Sequence, residues 1–159
     1  MASPLLVNID DIDINHLFMD KEEIRSLIPQ RYEMEQIDSV LKFDKENKII
    51  IGLKCVKADE FWTRGHIPGR PLFPGVLMIE SAAQLASILS RLMGINPGNK
   101  FIGFSGVDRV KFRGTVVPGD KLIVIIKCVD LNNRRAIFET QSAVNNKLVF
   151  EGIITGMII

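Results

Sequence analysis

The sequence predicts an α+β fold in which one long central helix is wrapped by a curved antiparallel sheet of about six strands. Three observations support this prediction. The first is one long apolar stretch, residues 76–93, whose polar positions recur at helical spacing. The second is a set of shorter apolar runs, two before this stretch and four after it. The third is that short turns separate the last four runs, and strands joined by short turns are antiparallel neighbours.

The chain before residue 27 is predicted to be an arm that ends in a short helix. Little periodicity precedes Asp20, whereas Asp20 and Glu23 have the spacing of a capping box and Pro29 stops the helix. We therefore expect an N-terminal arm, residues 1–26, and a single domain, residues 27–159, which is long enough to bury a core.

The remaining elements follow from turn signals. The runs IDSVLKF and KIIIGLKCV flank the polar turn DKEN and predict a hairpin. A loop rich in proline and glycine, residues 58–75, leads to the helix, which is about 18 residues or roughly 27 Å long and ends at Gly94. The separators VVPGD, LNN and NN divide the last four strands. Because the helix is apolar on most sides, a curved sheet has to enclose it, which is the hot-dog arrangement.

Composition argues against several classes of function. A net charge of +1 and the lack of a basic stripe give no support for a nucleic-acid partner or an anionic membrane surface. Glu80, Gln84 and Arg91 interrupt the longest apolar run, which argues against a membrane span.

The first residues lack the basic region of a secretory signal, so we expect a cytoplasmic location. Cys55 and Cys128 lie in strand-like runs without metal-ligand spacing, so we expect reduced core residues and no metal site.

The polar residues of the predicted helix lie on one stripe. Glu80, Gln84, Ser87 and Arg91 follow i, i+4, i+7, i+11. A solvated or subunit-facing strip explains Ser87 and Arg91. Glu80 differs because it lies near the helix start among apolar neighbours, where an ionised carboxylate is costly unless it is paired or used in chemistry. A structural carboxylate is the alternative.

Gly75 and His66 extend this candidate site. Gly75 is at the helix start, where backbone N–H groups lack partners and the dipole favours negative charge, although a plain helix start explains it equally well. Glycine and proline residues restrict the loop around His66, which suits a positioned base. We assign His16, in the arm, to the surface. A histidine, an acid and a free N–H around one apolar pocket suffice to remove a proton next to a carbonyl.

Three sequence motifs resemble one enzyme family. The stretch RGHIPGRPLFPGVLMIESAAQ resembles the signature GHFPxxPxxPGVLxxEaxAQ of the 3-hydroxyacyl-acyl-carrier-protein dehydratases of type II fatty-acid synthesis, the FabZ type. The stretches GVDRVKFRGTVVPGD and IPQRYEMEQIDSV resemble the second and opening motifs of this family. The match extends from about Leu27 to the C-terminus. The resemblance implies a hydro-lyase of fatty-acid biosynthesis that converts a (3R)-hydroxyacyl thioester to the trans-2-enoyl thioester without a metal or redox cofactor.

The resemblance also implies roles for three residues. His66 would remove the C2 proton as general base, and Glu80 would deliver a proton to the departing C3 hydroxyl, directly or through water. The N–H of Gly75 would polarise the thioester carbonyl. Glutamate at position 80 separates the chain from close relatives that both dehydrate and isomerise, since these usually carry aspartate there.

Further expectations concern assembly and binding. In the family the two catalytic residues come from opposite subunits of a homodimer, and a trimer of dimers is common. The acyl chain and pantetheine arm would lie in a tunnel at the dimer interface. The predicted lining residues are Phe73, Val76, Ile79, Gln84 and Phe104. A basic patch for docking the acyl carrier protein would comprise Arg109, Lys111 and Arg113, for which a solvated strand edge is the alternative.

The chain departs from the family pattern at several positions. Gln30 replaces a usual histidine, EMEQ at residues 33–36 replaces an apolar stretch, Ile67 replaces phenylalanine, and Gly114–Thr115 replaces Arg–Pro. None removes a catalytic group, but acyl-length preference and assembly stay open. Two alternatives remain: a hot-dog acyl thioesterase, disfavoured by the histidine loop, and a non-catalytic acyl-binding or partner-binding paralogue, suggested by the altered opening segment.

Overall fold

The computed structural model describes residues 3–159 and has one six-stranded antiparallel sheet around one long helix. The sheet order is β1-β2-β4-β5-β6-β3. In chain order the elements are α1 (Lys21–Arg25), a 3-10 turn (Tyr32–Met34), β1 (Ser39–Asp44), β2 (Ile49–Cys55), α2 (Gly75–Leu92), β3 (Ile102–Phe112), β4 (Lys121–Leu131), β5 (Arg135–Val144) and β6 (Lys147–Ile158). The predicted α+β class and its single wrapped helix are confirmed.

The inner face of the sheet packs on α2. Leu85, Ile88 and Leu89 on the helix are fully buried, and alternate strand residues such as Ile50 meet them from the sheet. Gly52 on β2 permits close approach, because a Cβ atom there would lie 3.0 Å from the methyl groups of Leu85. The helix is therefore fixed in position by the core on which it packs.

The outer face of the sheet is covered by the arm. Ile9 is buried there, and arm residues between Leu5 and Ile14 pack on a second apolar cluster. The sheet residues of that cluster are Leu41, Ile49, Ile51, Leu53, Cys55, Ile123, Ile125 and Ala143. Apolar residues on both faces of β2 explain why that strand reads as a continuous hydrophobic run.

The end of the arm connects the two faces. The capping box predicted at Asp20 is present, with the backbone N–H of Glu23 donating to the Asp20 carboxylate at 2.9 Å. Met19 forms a short bridge with Val40, and Ile24 is buried in the inner core. Residues of the arm and of the sheet thus belong to the same apolar clusters. The predicted boundary between an arm, residues 1–26, and a domain, residues 27–159, stays a prediction.

The two edges of the sheet differ. Met19 pairs with the edge strand β1, whereas β3 pairs with β6 on one side and has no strand partner on the other among residues 3–159. No helix within these residues is long and apolar enough to cross a membrane. Both cysteines are free thiols; Cys128 is buried and Cys55 is half-buried.

Candidate active site

The loop that carries His66 is anchored by a buried cluster at its base. The indole of Trp62 packs edge-on against Phe73, with ring centroids 5.4 Å apart, and donates a hydrogen bond to Glu60 at 3.2 Å. Glu60 also forms a 2.8 Å ion pair with Lys54, whose side chain is 5% exposed. The ammonium of Lys54 lies 5.2 Å from the Phe73 ring centre. Such a desolvated pair, closed by aromatic rings, fixes both ends of the loop.

His66 lies at the exposed part of this loop with one ring nitrogen engaged. Its Nδ1 is 2.8 Å from the carbonyl oxygen of Leu72. Because a carbonyl oxygen can only accept, this contact assigns the proton of the neutral ring to Nδ1 and leaves Nε2 as a proton acceptor. The adjacent Ile67 has φ of 58°, which is costly for a β-branched residue. Backbone strain of this kind is concentrated at functional sites.

The start of α2 presents free backbone donors. Pro74 caps the helix, and within residues 3–159 the N–H of Gly75 donates to no other protein atom. The structure adds a steric reason for glycine: a Cβ atom at position 75 would lie 2.8 Å from Cε1 of Phe112 on β3. Phe112 in turn packs on Phe150, with centroids 5.8 Å apart. Gly75 therefore lets β3 approach the end of the helix that favours negative charge.

Glu80 lies in the second turn of α2 and is half-buried. Its Oε1 accepts a hydrogen bond from Nε2 of Gln84 at 2.9 Å. Gln84 is 1% exposed and its amide is fully engaged. Its Nε2 also donates to the carbonyl oxygen of Met34 at 2.6 Å, and its Oε1 accepts from the backbone N–H of Gln36 at 3.0 Å.

Gln84 is thus the partner of Glu80, a role that the sequence analysis did not assign. The i, i+4 spacing of the two residues was the available signal. Of the predicted tunnel residues, Gln84 and Phe73 are buried within the chain, Ile79 is half-buried, and Val76 and Phe104 are 69% and 37% exposed. The tunnel itself stays a prediction.

One member of the predicted basic patch forms an ion pair within the chain. The Nε of Arg113 donates to Glu151 at 2.6 Å, and the Arg113 side chain is only 22% exposed. Its charge is thus paired with Glu151 in the single chain, and the docking role of Arg113 stays a prediction. Arg109 and Lys111 are exposed and form no ion pair among the described residues.

His66 and Glu80 are held separately in one chain. His66 contacts Leu72 and Glu80 contacts Gln84, and within residues 3–159 no hydrogen bond joins the two. The arrangement offers a base, an acid and a helix-start donor, which is the set required for proton transfer next to a carbonyl.

The fold and these groups define a hot-dog protein, and solved structures confirm this class. The dehydratase heterocomplex ApeI:P from Xenorhabdus doucetiae aligns with a TM-score of 0.71 at 14% identity, covering 84% of this chain and 89% of that chain. A mutant thioesterase from Pseudomonas aeruginosa aligns with a TM-score of 0.61 at 14% identity, covering 76% and 80%. At such low identity these likenesses establish the fold alone.

Sequence comparison identifies the family. A family model described as FabA-like domain matches residues 28–153. The 3-hydroxyacyl-[acyl-carrier-protein] dehydratase FabZ of Hydrogenobaculum sp. is 38% identical over 137 residues, which is 86% of this chain and 92% of the relative. The enzyme of the same name from Streptococcus pneumoniae is 36% identical over 137 residues, 86% and 96% of the two chains. The chain belongs to the FabA-like family, and the predicted resemblance is confirmed.

Proposed function

We propose that the protein is a 3-hydroxyacyl-[acyl-carrier-protein] dehydratase of fatty-acid biosynthesis. The observation that carries this proposal is the orientation of His66, whose Nδ1 is engaged by Leu72 so that Nε2 has no hydrogen bond within residues 3–159, in a loop that leads into the helix carrying Gly75 and Glu80. Similarity to curated FabZ enzymes over 86% of the chain supports the same reaction.

The reaction follows from the assigned proton positions. Nε2 of His66 takes the proton from C2 of a (3R)-hydroxyacyl thioester, and the electrons move to the thioester oxygen, which accepts a hydrogen bond from Gly75 N–H. When the C2–C3 double bond forms, the C3–O bond breaks and the protonated Glu80 carboxyl supplies the proton that releases water. The histidine proton then returns to the carboxylate, directly or through solvent, to restore both groups.

The functional unit we propose is a homodimer formed through β3. The outer edge of this 11-residue strand has no strand partner among residues 3–159, and the strand exposes large apolar side chains. These side chains are Phe104, Val107 and Phe112, with Phe101 just before the strand. Pairing of two such edges would remove an aggregation-prone surface and bring His66 of one subunit near Glu80 of the other. Higher assembly into a trimer of dimers is part of the same proposal.

Native mass spectrometry tests the assembly. We expect dimers or multiples of dimers, and we expect Val107→Lys on β3 to shift the population toward monomers because it places like charges across the paired edges. A wild-type chain that stays monomeric at micromolar concentration would contradict the dimeric site.

We further propose that Val76, Ile79 and Phe104 contact the acyl chain, while Arg109 and Lys111 contact the acyl carrier protein. All five have side-chain surface open to solvent in the single chain. Arg109→Ala with Lys111→Ala should raise KM for substrate on carrier protein and leave KM unchanged for the same acyl group on a pantetheine fragment.

The proposed activity is tested with 3-hydroxybutyryl thioester on carrier protein. Wild-type protein should form the conjugated enoyl thioester, and His66→Ala and Glu80→Ala should each lower kcat by about 10²–10⁴-fold while dimers are retained. Release of free thiol without enoyl product would instead identify a thioesterase. Absence of any turnover on short and long chains would leave a non-catalytic acyl-binding protein.

A further inference from the structure

We propose that the ion pair between Arg25 and Glu35 positions the carboxyl group of Glu80. The effect is indirect, because Gln84 lies between the ion pair and Glu80. This inference rests on the dehydratase function proposed above. It assigns Arg25 and Glu35 as positioning residues, because neither contacts the reacting groups in the chain.

The ion pair has the geometry of a rigid clamp. Nε of Arg25 donates to one oxygen of Glu35 at 2.6 Å, and Nη2 donates to the other at 3.0 Å. Such a two-point contact fixes orientation as well as distance. The Glu35 side chain is 14% exposed and that of Arg25 is 35% exposed, so solvent screens the pair in part and its geometry is the stronger argument. Arg25 also contacts Glu22, which secures the guanidinium on α1.

The segment that Glu35 belongs to is strained. Tyr32, at the start of the 3-10 turn, has φ of 57° and is 85% exposed, so side-chain burial does not stabilise this conformation. A conformation of this kind persists only where surrounding contacts enforce it. Within residues 3–159, the clamp on Glu35 and the hydrogen bonds to Gln84 are the polar contacts that hold residues 34–36 against the two helices.

The clamped residue lies between the two backbone groups that fix Gln84. Met34 supplies the carbonyl oxygen and Gln36 supplies the N–H, so one rigid turn engages both ends of the Gln84 amide. The N–H that remains on Gln84 donates to Glu80. If the turn relaxes, the amide is free to rotate and the carboxyl loses its orienting donor.

This arrangement belongs to the parts of the chain that depart from the family pattern. Arg25 precedes the residues that the family model matches, 28–153, and Glu35 lies in the EMEQ segment, where the family motif is apolar. In this chain the EMEQ segment carries the ion pair and the two backbone groups that hold Gln84.

A matched pair of substitutions on α1 tests the inference. Lys21 forms a 2.9 Å ion pair with Asp38, and its side chain is 34% exposed, against 35% for Arg25. Arg25→Met and Lys21→Met each remove an ion pair between α1 and the segment before β1, although Arg25 also pairs with Glu22. Only Arg25 contacts the turn that holds Gln84. The measurements are kcat and KM for a 3-hydroxyacyl thioester on carrier protein, together with Tm.

We expect Arg25→Met and Glu35→Gln to lower kcat by about 10-fold with KM changed by less than about 2-fold, since misplacement of a catalytic group lowers kcat. Arg25→Lys, which keeps the charge but not the two-point contact, should be intermediate. Lys21→Met should retain wild-type kcat despite a similar loss of Tm.

Wild-type kcat in both Arg25→Met and Glu35→Gln would overturn the inference and leave the dehydratase function intact. An equal kcat loss in Lys21→Met would also overturn it, because the effect would then reflect general loosening of α1. Absence of enoyl product from the wild-type protein would overturn the proposed function and this inference together.

Discussion

The two faces of the sheet are covered by very different elements. The inner face is covered by α2, a helix of 18 residues that carries Gly75 and Glu80 and lies within the family match at 28–153. The outer face is covered by the arm, which precedes that match and has no regular secondary structure before Met19. Gly75 and Glu80 thus lie on the element that covers the inner face, whereas the outer face is covered by a segment outside the family match.

The difference is visible within a single strand. Ile50 and Ile51 are neighbours on β2, and both are almost wholly buried, but Ile50 packs on the inner cluster and Ile51 on the outer cluster. Truncation of a buried isoleucine to alanine costs about 2–5 kcal/mol. We expect both Ile50→Ala and Ile51→Ala to lower the free energy of unfolding by an amount in that range, measured by urea denaturation. A loss below about 1 kcal/mol for Ile51→Ala would show that the arm does not bury the outer face.

Deletion of residues 1–16 should affect the outer face of the sheet and leave the inner face unchanged. We expect the deleted chain to be less stable and to bind a hydrophobic dye on its outer face, while kcat stays within about 2-fold of the full chain because α2 is untouched. In the deleted chain Ile51→Ala should cost much less than in the full chain, whereas the cost of Ile50→Ala should not change. A large kcat loss on deletion would mean that the arm supports the inner face as well.

The loss of stability at low pH should have separate contributions from the two faces. The hydrogen bonds that Glu35 accepts from Arg25 lower the pKa of Glu35 below the usual 4.5. Burial opposes ionisation of Glu151, but hydrogen bonds from Arg113 and Ser3 outweigh it and lower that pKa too. Each carboxylate therefore contributes stability above its usual pKa, and this contribution is lost as the pH falls through the lowered folded-state value.

The pH dependence is measured by urea denaturation of Glu35→Gln and Glu151→Gln at pH 7 and pH 3. Both variants should be destabilised at pH 7, and their deficit should shrink at pH 3. Deleting the arm removes the Ser3 contact, so it should reduce the pH 7 deficit of Glu151→Gln but not that of Glu35→Gln. Equal responses to the deletion would contradict the separation of the two faces.

The smallest expected effect concerns the two hydrogen bonds by which Gln141 on β5 holds the arm. Oε1 of Gln141 accepts from the N–H of Leu6 at 2.8 Å, and its Nε2 donates to the carbonyl of Pro4 at 2.9 Å. Gln141→Ala should cost about 1–2 kcal/mol and accelerate hydrogen exchange at Leu6, with kcat unchanged. Unaltered exchange at Leu6 would show that apolar contacts alone hold the arm.

Sequence patterns predicted the inner face well and the outer face poorly. The long helix was expected at residues 76–93 and is observed at Gly75–Leu92, because its spacing and the flanking proline and glycine are local signals. The packing of the arm on the outer face was not predicted, since its apolar residues follow no regular period and acquire their partners only in the folded chain.

The site shows the same limit. His66, Gly75 and Glu80 were predicted as candidate site residues from their types and their motif, but the hydrogen-bond partners of His66 and Glu80 were not predicted. The link from Glu80 to the turn before β1 joins positions about 50 residues apart. Arg113 and Glu151 are 38 positions apart, so no local pattern indicates that the two side chains form an ion pair.

The most direct test of the account is a subunit-mixing experiment with two inactive variants, His66→Ala and Glu80→Gln. If each site takes its histidine from one subunit and its glutamate from the other, a mixed dimer has one intact site. Random exchange at equal amounts should then restore about one quarter of wild-type dehydratase activity, because half of the dimers are mixed and half of their sites are intact. No recovery after exchange confirmed by native mass spectrometry would contradict the shared site.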